Sequence, residues 1–362
     1  MNTWHKITRR IYRYSSDIIN NREVRGWCFH RFKKNEPVKL SFYVDEQKLG
    51  EATADDLRTD LRAHNVHLTG RCGFQFNIPR SCNIGNYRKL VIKAGSEETP
   101  LFSLQVDQIP KIVEGPMPKV LFMHIPKTAG TSFNTFAESY LPKDKAITQV
   151  QTENKQKYPL FNASYYYVSG HLSLDALREN FDLNNFDLYT ILREPYRHLH
   201  SHLNWVKAVV DAPDSGFAHE HPEVVQKMAM QIGTLDLSKP EILSEFVQDL
   251  GGFGLDFFDN CQTRYFLDHR PIKVTREHLE NALTNLECFT DIGITEQYQA
   301  FTQRFCHRIG VAYCEQQAPL NKAKSENLFD LDKPGIRQAL LPLVATDLLL
   351  YEHVRTRFCN DV

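Results

Sequence analysis

Three short segments concentrate the residue types that bind anions or move protons. The first runs Lys119-Val-Leu-Phe-Met-His-Ile-Pro-Lys-Thr-Ala-Gly-Thr-Ser-Phe133. Its apolar run, Val120 to Ile125, reads as a buried strand. Gly130 marks a tight turn, and a helix is predicted from Thr131 to Tyr140. Free backbone N–H groups at a helix N-terminus attract anions, and Lys127 adds a full charge. In a Walker A loop the lysine directly follows the second glycine. Here Lys127 precedes Gly130, so an ATPase or GTPase reading loses its main support.

The second segment is Thr190-Ile-Leu-Arg-Glu-Pro-Tyr-Arg-His-Leu-His-Ser-His-Leu-Asn-Trp205. Asp187 to Leu192 reads as a strand, which puts Arg193 at its carboxyl end. Open α/β sheets bind their ligands at that edge. Pro195 to Val210 reads as a helix with proline in its first turn. Arg193, Arg197, Ser201 and Trp205 are spaced by four, and each such step turns a helix only about 40° past a full turn. A guanidinium and a hydroxyl on one broad face can fork a phosphate dianion. The third segment is Tyr-Val-Ser-Gly-His-Leu-Ser-Leu-Asp175, where His171 follows a predicted strand, Tyr165 to Val168. His198 and His202 have the i, i+4 spacing of a zinc pair, but no third ligand is placed by the sequence, and no metal is expected.

These segments need a scaffold, and the 362 residues are enough for two domains. Hydrophobic residues at 42% and charged residues at 24% are ordinary globular values. The formal charge of -1 argues against a whole-molecule nucleic-acid binder. Eight cysteines without an export signal or a CxxC pair read as reduced thiols. Residues 22–106 read as short strands of a β-sandwich: Val38, Leu40, Phe42 and Val44 alternate, as do Phe74, Phe76 and Ile78, and Leu90, Ile92 and Ala94. Nothing in that segment carries chemistry. Trp27 and Phe29 read as core aromatics, with a sugar-stacking platform as the alternative. Residues 107–118 have linker composition. From 119 to 362 strands alternate with helices, which predicts an α/β domain with a mainly parallel sheet. Within residues 1–21, Trp4, Ile7, Ile11, Tyr14 and Ile18 fall at helical spacing. Residues 1–35 hold nine Lys or Arg against two Asp or Glu. A basic arm or helix packed on its own domain is expected there, with contact to an anionic membrane surface as the alternative.

The loop HIPKTAGTSF closely resembles the 5′-phosphosulfate loop of sulfotransferases that use 3′-phosphoadenosine 5′-phosphosulfate, in the carbohydrate branch related to heparan sulfate 2-O-sulfotransferase. The resemblance covers about residues 118–358. Arg193 and Ser201 match that family's 3′-phosphate motif, and Arg197 matches a commonly basic position. The Gly-His segment resembles the one that carries the family's catalytic histidine. The stretch Asp259-Asn-Cys-Gln-Thr-Arg-Tyr-Phe266 resembles a segment of bacterial members. Residues 22–106 resemble a β-module attached to bacterial glycan-modifying enzymes.

The resemblance implies a P-loop-like sulfotransferase domain with 3′-phosphoadenosine 5′-phosphosulfate as co-substrate. Lys127 and the loop Thr128, Ala129, Gly130, Thr131 and Ser132 would hold its 5′-phosphosulfate; Arg193 and Ser201 its 3′-phosphate. His171 would be the general base and Lys127 would stabilise the leaving group. Arg197, Gln262, Arg264 and Lys322 are weaker candidates for contact with nucleotide or acceptor. His124 is read as a positioning residue, while His219 and His221 have no fixed role. The expected acceptor is a carbohydrate hydroxyl, and the expected setting a bacterial cytoplasm. Two other readings stay open: a glycan- or nucleotide-binding protein without turnover, and a nucleotide or metabolite kinase.

Overall fold

The computed structural model describes residues 11–63, 66–95, 99–211, 223–315 and 327–359. Eight strands form two antiparallel sheets: β1 (Tyr12–Ile19), β2 (Glu23–His30), β3 (Val38–Val44), β4 (Gln47–Ala54), β5 (Asp56–Leu57), β6 (Arg71–Asn77), β7 (Lys89–Ala94) and β8 (Thr99–Gln105). The orders are β1-β2-β6-β5 and β4-β3-β7-β8. Period-two alternation turns Val38, Leu40, Phe42 and Val44 inward, where they meet Val24, Phe74 and Phe76 of the other sheet in one core. Phe42 and Phe76 stack across it with ring centroids 4.0 Å apart.

The helical reading of the N-terminal stretch is corrected over Tyr12–Ile19, which is a strand paired with β2. Spacings of four fit a strand's period as well as a helix's. Tyr12, Tyr14 and Ile19 pack against the sandwich core, and rings and branched side chains favour a pleated surface. The helical face proposed for a membrane is therefore absent over these residues; Trp4 and Ile7 lie outside the described residues. β1 carries a bulge between Ser16 and Ile18 and forms one edge of its sheet, as β8 does of the other.

The second half is built on five parallel strands: β9 (Val120–Met123), β10 (Ala146–Ile147), β11 (Tyr167–Gly170), β12 (Asp187–Leu192) and β13 (Asp291–Ile294), in the order β10-β11-β9-β12-β13. All four residues of β9 are buried, as expected for a parallel sheet covered on both faces. Leu121 and Met123 face one core with Val168 and Leu188. Val120 and Phe122 face the other, filled by Phe133 and Phe136 of the helix Gly130–Glu138 and by Phe301 and Phe305 of Tyr298–Ile309. A helical cluster of Pro195–Asp211, Glu223–Thr234, Pro240–Gln248 and the start of Ile336–Phe358 shares a further core. No described helix is long and apolar enough to cross a membrane.

Candidate active site

From β9 the chain winds to β11 on one side, and from β12 to β13 on the other. The crevice between β9 and β12 is thus the switch point of the sheet, where open α/β folds bind ligands. The loop His124–Ala129 leaves β9 there and turns into the helix Gly130–Glu138. Lys127 and Ala129 both sit in left-handed backbone, at φ 67° and 63°. For residues with a Cβ this costs roughly 1–2 kcal/mol each, and such outliers concentrate at ligand sites. Ala129 caps the helix without a side-chain hydrogen bond, so the first turn offers its N–H groups outward. Gly130 is required by close approach: a Cβ there would lie 2.0 Å from the His124 ring.

Arg193 leaves β12 into the same crevice, and its Nη1 donates to the Lys127 carbonyl at 3.2 Å. The Lys127 ammonium has no ion-pair partner among the described residues and lies 6.0 Å from the Trp205 ring centroid. Burial first and the Arg193 charge second lower its pKa. Two neighbouring cations without an acidic partner on the lysine make a seat for an anion. Arg193 is itself fixed by Gln262, whose Oε1 accepts from its N–H at 2.8 Å and whose Nε2 donates to its C=O at 2.9 Å.

Gln262 belongs to the short helix Cys261–Arg264, which the last helix holds in turn. The Asp347 carboxylate accepts from the Gln262 and Thr263 amides at 3.2 and 2.7 Å. Pro342 lies inside Ile336–Phe358 and has no N–H to give the Gln338 carbonyl, and one turn further on the ladder is opened by a side chain from outside the helix. Asn260 enters the gap: its Oδ1 accepts from the Thr346 and Asp347 amides at 2.7 and 3.1 Å, and its N–H donates to Leu343 at 2.7 Å.

β11 runs beside β9 with Gly170 opposite Met123, so His171 and His124 emerge as neighbours. Their ring centroids are 4.1 Å apart. His171 Nδ1 lies 2.7 Å from the His124 carbonyl oxygen. A carbonyl can only accept, so Nδ1 carries the proton and Nε2 keeps its lone pair. Desolvation within the cleft lowers the His171 pKa, the bond to His124 opposes this, and Lys127 adds a smaller lowering. His198 is buried and donates from Nε2 to the Pro126 carbonyl at 2.8 Å. Burial lowers its pKa to about 4, so the ring is neutral and pins the loop. His202 is buried against Phe257 and Phe258. Among the described residues no three His, Cys, Asp or Glu side chains are placed to hold a metal.

One cleft of about 1590 Å³ contains Lys127, Ala129, Gly130, Thr131 and Ser132, together with His171, Arg193, Arg197 and Ser201. Three candidates do not line it. Thr128 is buried and its hydroxyl donates to the Ile125 carbonyl at 2.8 Å. Gln262 is buried as the clamp on Arg193. Arg264 is held by Asp259 at 2.8 Å and by the Pro271 and Ile272 carbonyls. Gln262 and Arg264 are thereby supports that do not line the cleft, and the hydroxyl of Thr128 closes the loop. Lys322, Lys324, His219 and His221 lie outside the described residues. Sequence reading missed Asp347, Asn260 and His198 as supports, because their partners are remote in the chain. It also missed the sandwich: Tyr14, Ser16 and Phe102 line this same cleft, whereas Trp27 and Phe29 do not. No known family model matches the chain, and no curated protein matches it significantly.

Proposed function

We propose that the chain is a sulfotransferase of P-loop-like fold, moving a sulfuryl group from 3′-phosphoadenosine 5′-phosphosulfate to a carbohydrate hydroxyl. The observation that carries this reading is the joint seat at the switch point: an uncapped helix start with Lys127, bonded through its carbonyl to Arg193, in one cleft with Ser201 and His171. A nucleotide phosphorylated at both 3′ and 5′ positions needs two such anion seats. The donor supplies the sulfuryl group, whose bond to the 5′-phosphate oxygen breaks as its bond to the acceptor oxygen forms. Amides of Gly130 to Ser132 and Lys127 hold the 5′ end and stabilise the charge that gathers on the leaving oxygen. Arg193 and Ser201 hold the 3′-phosphate. The acceptor's proton passes to Nε2 of His171, the nitrogen that its bond to His124 leaves unprotonated.

Calorimetric titration with adenosine 3′,5′-bisphosphate, with ADP and ATP as controls, tests the reading. Selective binding of the bisphosphate that weakens in Arg193→Ala is expected. No binding, or equal binding of ATP, overturns it and returns the kinase and non-catalytic readings.

A further inference from the structure

The cleft is larger than the donor needs. Sites for single small molecules usually measure about 300–1,000 Å³, against about 1590 Å³ here. The additional wall comes from the sandwich. Its edge strands β1 and β8 both reach the cleft, through Tyr14, Ser16 and Asp17 on one and Phe102 and Ser103 on the other, with Gln108 just beyond. The Tyr14 hydroxyl donates to the Leu101 carbonyl and ties the two edges together. Each edge is bulged, β1 at Ser16/Ile18 and β8 opposite Ile92/Lys93, and bulges re-aim side chains at strand edges beside sites. The chemistry of this wall is specific: rings, hydroxyls, an amide and one carboxylate. Asp17 is matched by Arg58 at 2.5 Å, an arginine that does not itself line the cleft. From the α/β side, Tyr298, Gln299, Tyr313 and Glu315 join the same cleft. Among the described lining residues the only Lys and Arg are Lys127, Arg193 and Arg197, all at the donor seat.

Resting on the donor reading above, we propose that the sandwich edges β1 and β8 form the acceptor site, and that it takes an uncharged saccharide chain. Sugar rings offer C–H faces to Tyr14 and Phe102, and hydroxyls that both donate to and accept from Ser16, Ser103 and Gln108. A uronate-rich chain would meet Glu315 with no Lys or Arg among the described residues of the sandwich wall to offset it, and unlike potentials across a binding surface are what select a partner.

The test uses the full chain and radiolabelled donor. The acceptors are cello-, chito- and malto-oligosaccharides, heparosan, chondroitin and a peptide mixture containing Ser and Tyr. Label is expected in at least one neutral oligosaccharide series, at least about tenfold above heparosan, chondroitin and peptide. Phe102→Ala should raise KM for that acceptor about tenfold with kcat and bisphosphate affinity unchanged. Ser103 is exposed, so Ser103→Arg keeps the test open should Phe102→Ala fail to fold, and should shift preference toward heparosan or chondroitin. Preference for a uronate chain or for peptide, no labelled saccharide, or an unmoved KM in folded variants overturns the proposal. Failure of the wild-type chain to bind adenosine 3′,5′-bisphosphate overturns the donor reading itself, and this proposal with it.

Discussion

On the α/β side, the cleft is lined by strand ends and helix starts; on the sandwich side, by strand edges. Loops after parallel strands converge at one edge of the sheet, so Lys127, His171 and Arg193 meet although tens of residues separate them. They bring charge, exposed N–H groups and a left-handed turn. Among the described residues, the antiparallel edges of the sandwich bring rings, hydroxyls and an amide in extended register, with Asp17 already paired to Arg58. The contrast teaches that one architecture concentrates potential at a point, as a transferred group requires. The other spreads weak contacts along a line, as a chain-like acceptor requires.

The sharpest way to break this comparison is at its charged end. His171→Ala is expected to lower kcat by about 10²–10⁴ while adenosine 3′,5′-bisphosphate affinity stays nearly constant. Loss of both together in calorimetry and rate assays would make His171 a structural residue. As the proposed base, His171 would work only when deprotonated, and desolvation lowers its pKa from the ordinary 6.5. The acid limb of kcat/KM should therefore have its midpoint below 6.5 and rise with pH.

Next in size is an effect on stability in the scaffold of the α/β side. Burial raises the Asp347 pKa from 3.8 to about 6. The folded state then binds this proton more tightly than the unfolded state. The associated stability is full below about pH 4, is lost as pH rises through about 6, and is level above that. The shift corresponds to about 3 kcal/mol. Urea unfolding across this window should show Asp347→Asn gaining on the wild type as pH rises, and a constant difference would refute the assignment.

Arg193→Ala should weaken bisphosphate binding by about 2–3 kcal/mol, roughly a hundredfold, from lost charge-assisted hydrogen bonds. Gln262→Ala leaves the Arg193 N–H and C=O without their partner and should weaken the same binding by about 1 kcal/mol, near fivefold. Equal losses in the two variants, read by titration, would mean that Gln262 touches the ligand after all.

Much of the charged side was legible in the sequence because its signals are local. Asp187–Leu192 is an apolar run ending at Arg193, and it forms a strand with those bounds. The helix behind the loop follows from residue types within one segment, but the left-handed turn falls at Lys127 and Ala129, with Gly130 opening the helix where only a hydrogen clears His124. The supports were not legible, since the partners of Gln262, Asn260 and His198 lie 69, 86 and 72 residues away. Thr128 was legible as part of the phosphate loop, but not that its hydroxyl closes the turn from inside. Tyr12–Ile19 misled because sparse apolar residues satisfy two periods at once, and pairing with β2 decides between them. The sandwich wall was hidden for a further reason: an edge strand's exposure depends on which sheet edge faces a neighbour, and local pattern does not encode that.

The turn of the last helix that Asn260 opens has a consequence in time as well as in space. Asn260 fills the opened turn of the last helix, and Asp347 holds the segment that carries Gln262. Arg193 is thus backed by residues made more than a hundred and fifty positions later. A nascent chain that has already exposed the phosphate loop and β12 still lacks this backing. The backing of Arg193 is complete only once the segments around Asn260 and Asp347 have both been made, so on the proposed reading a chain that stops before Asp347 would hold the donor less firmly than one that includes it.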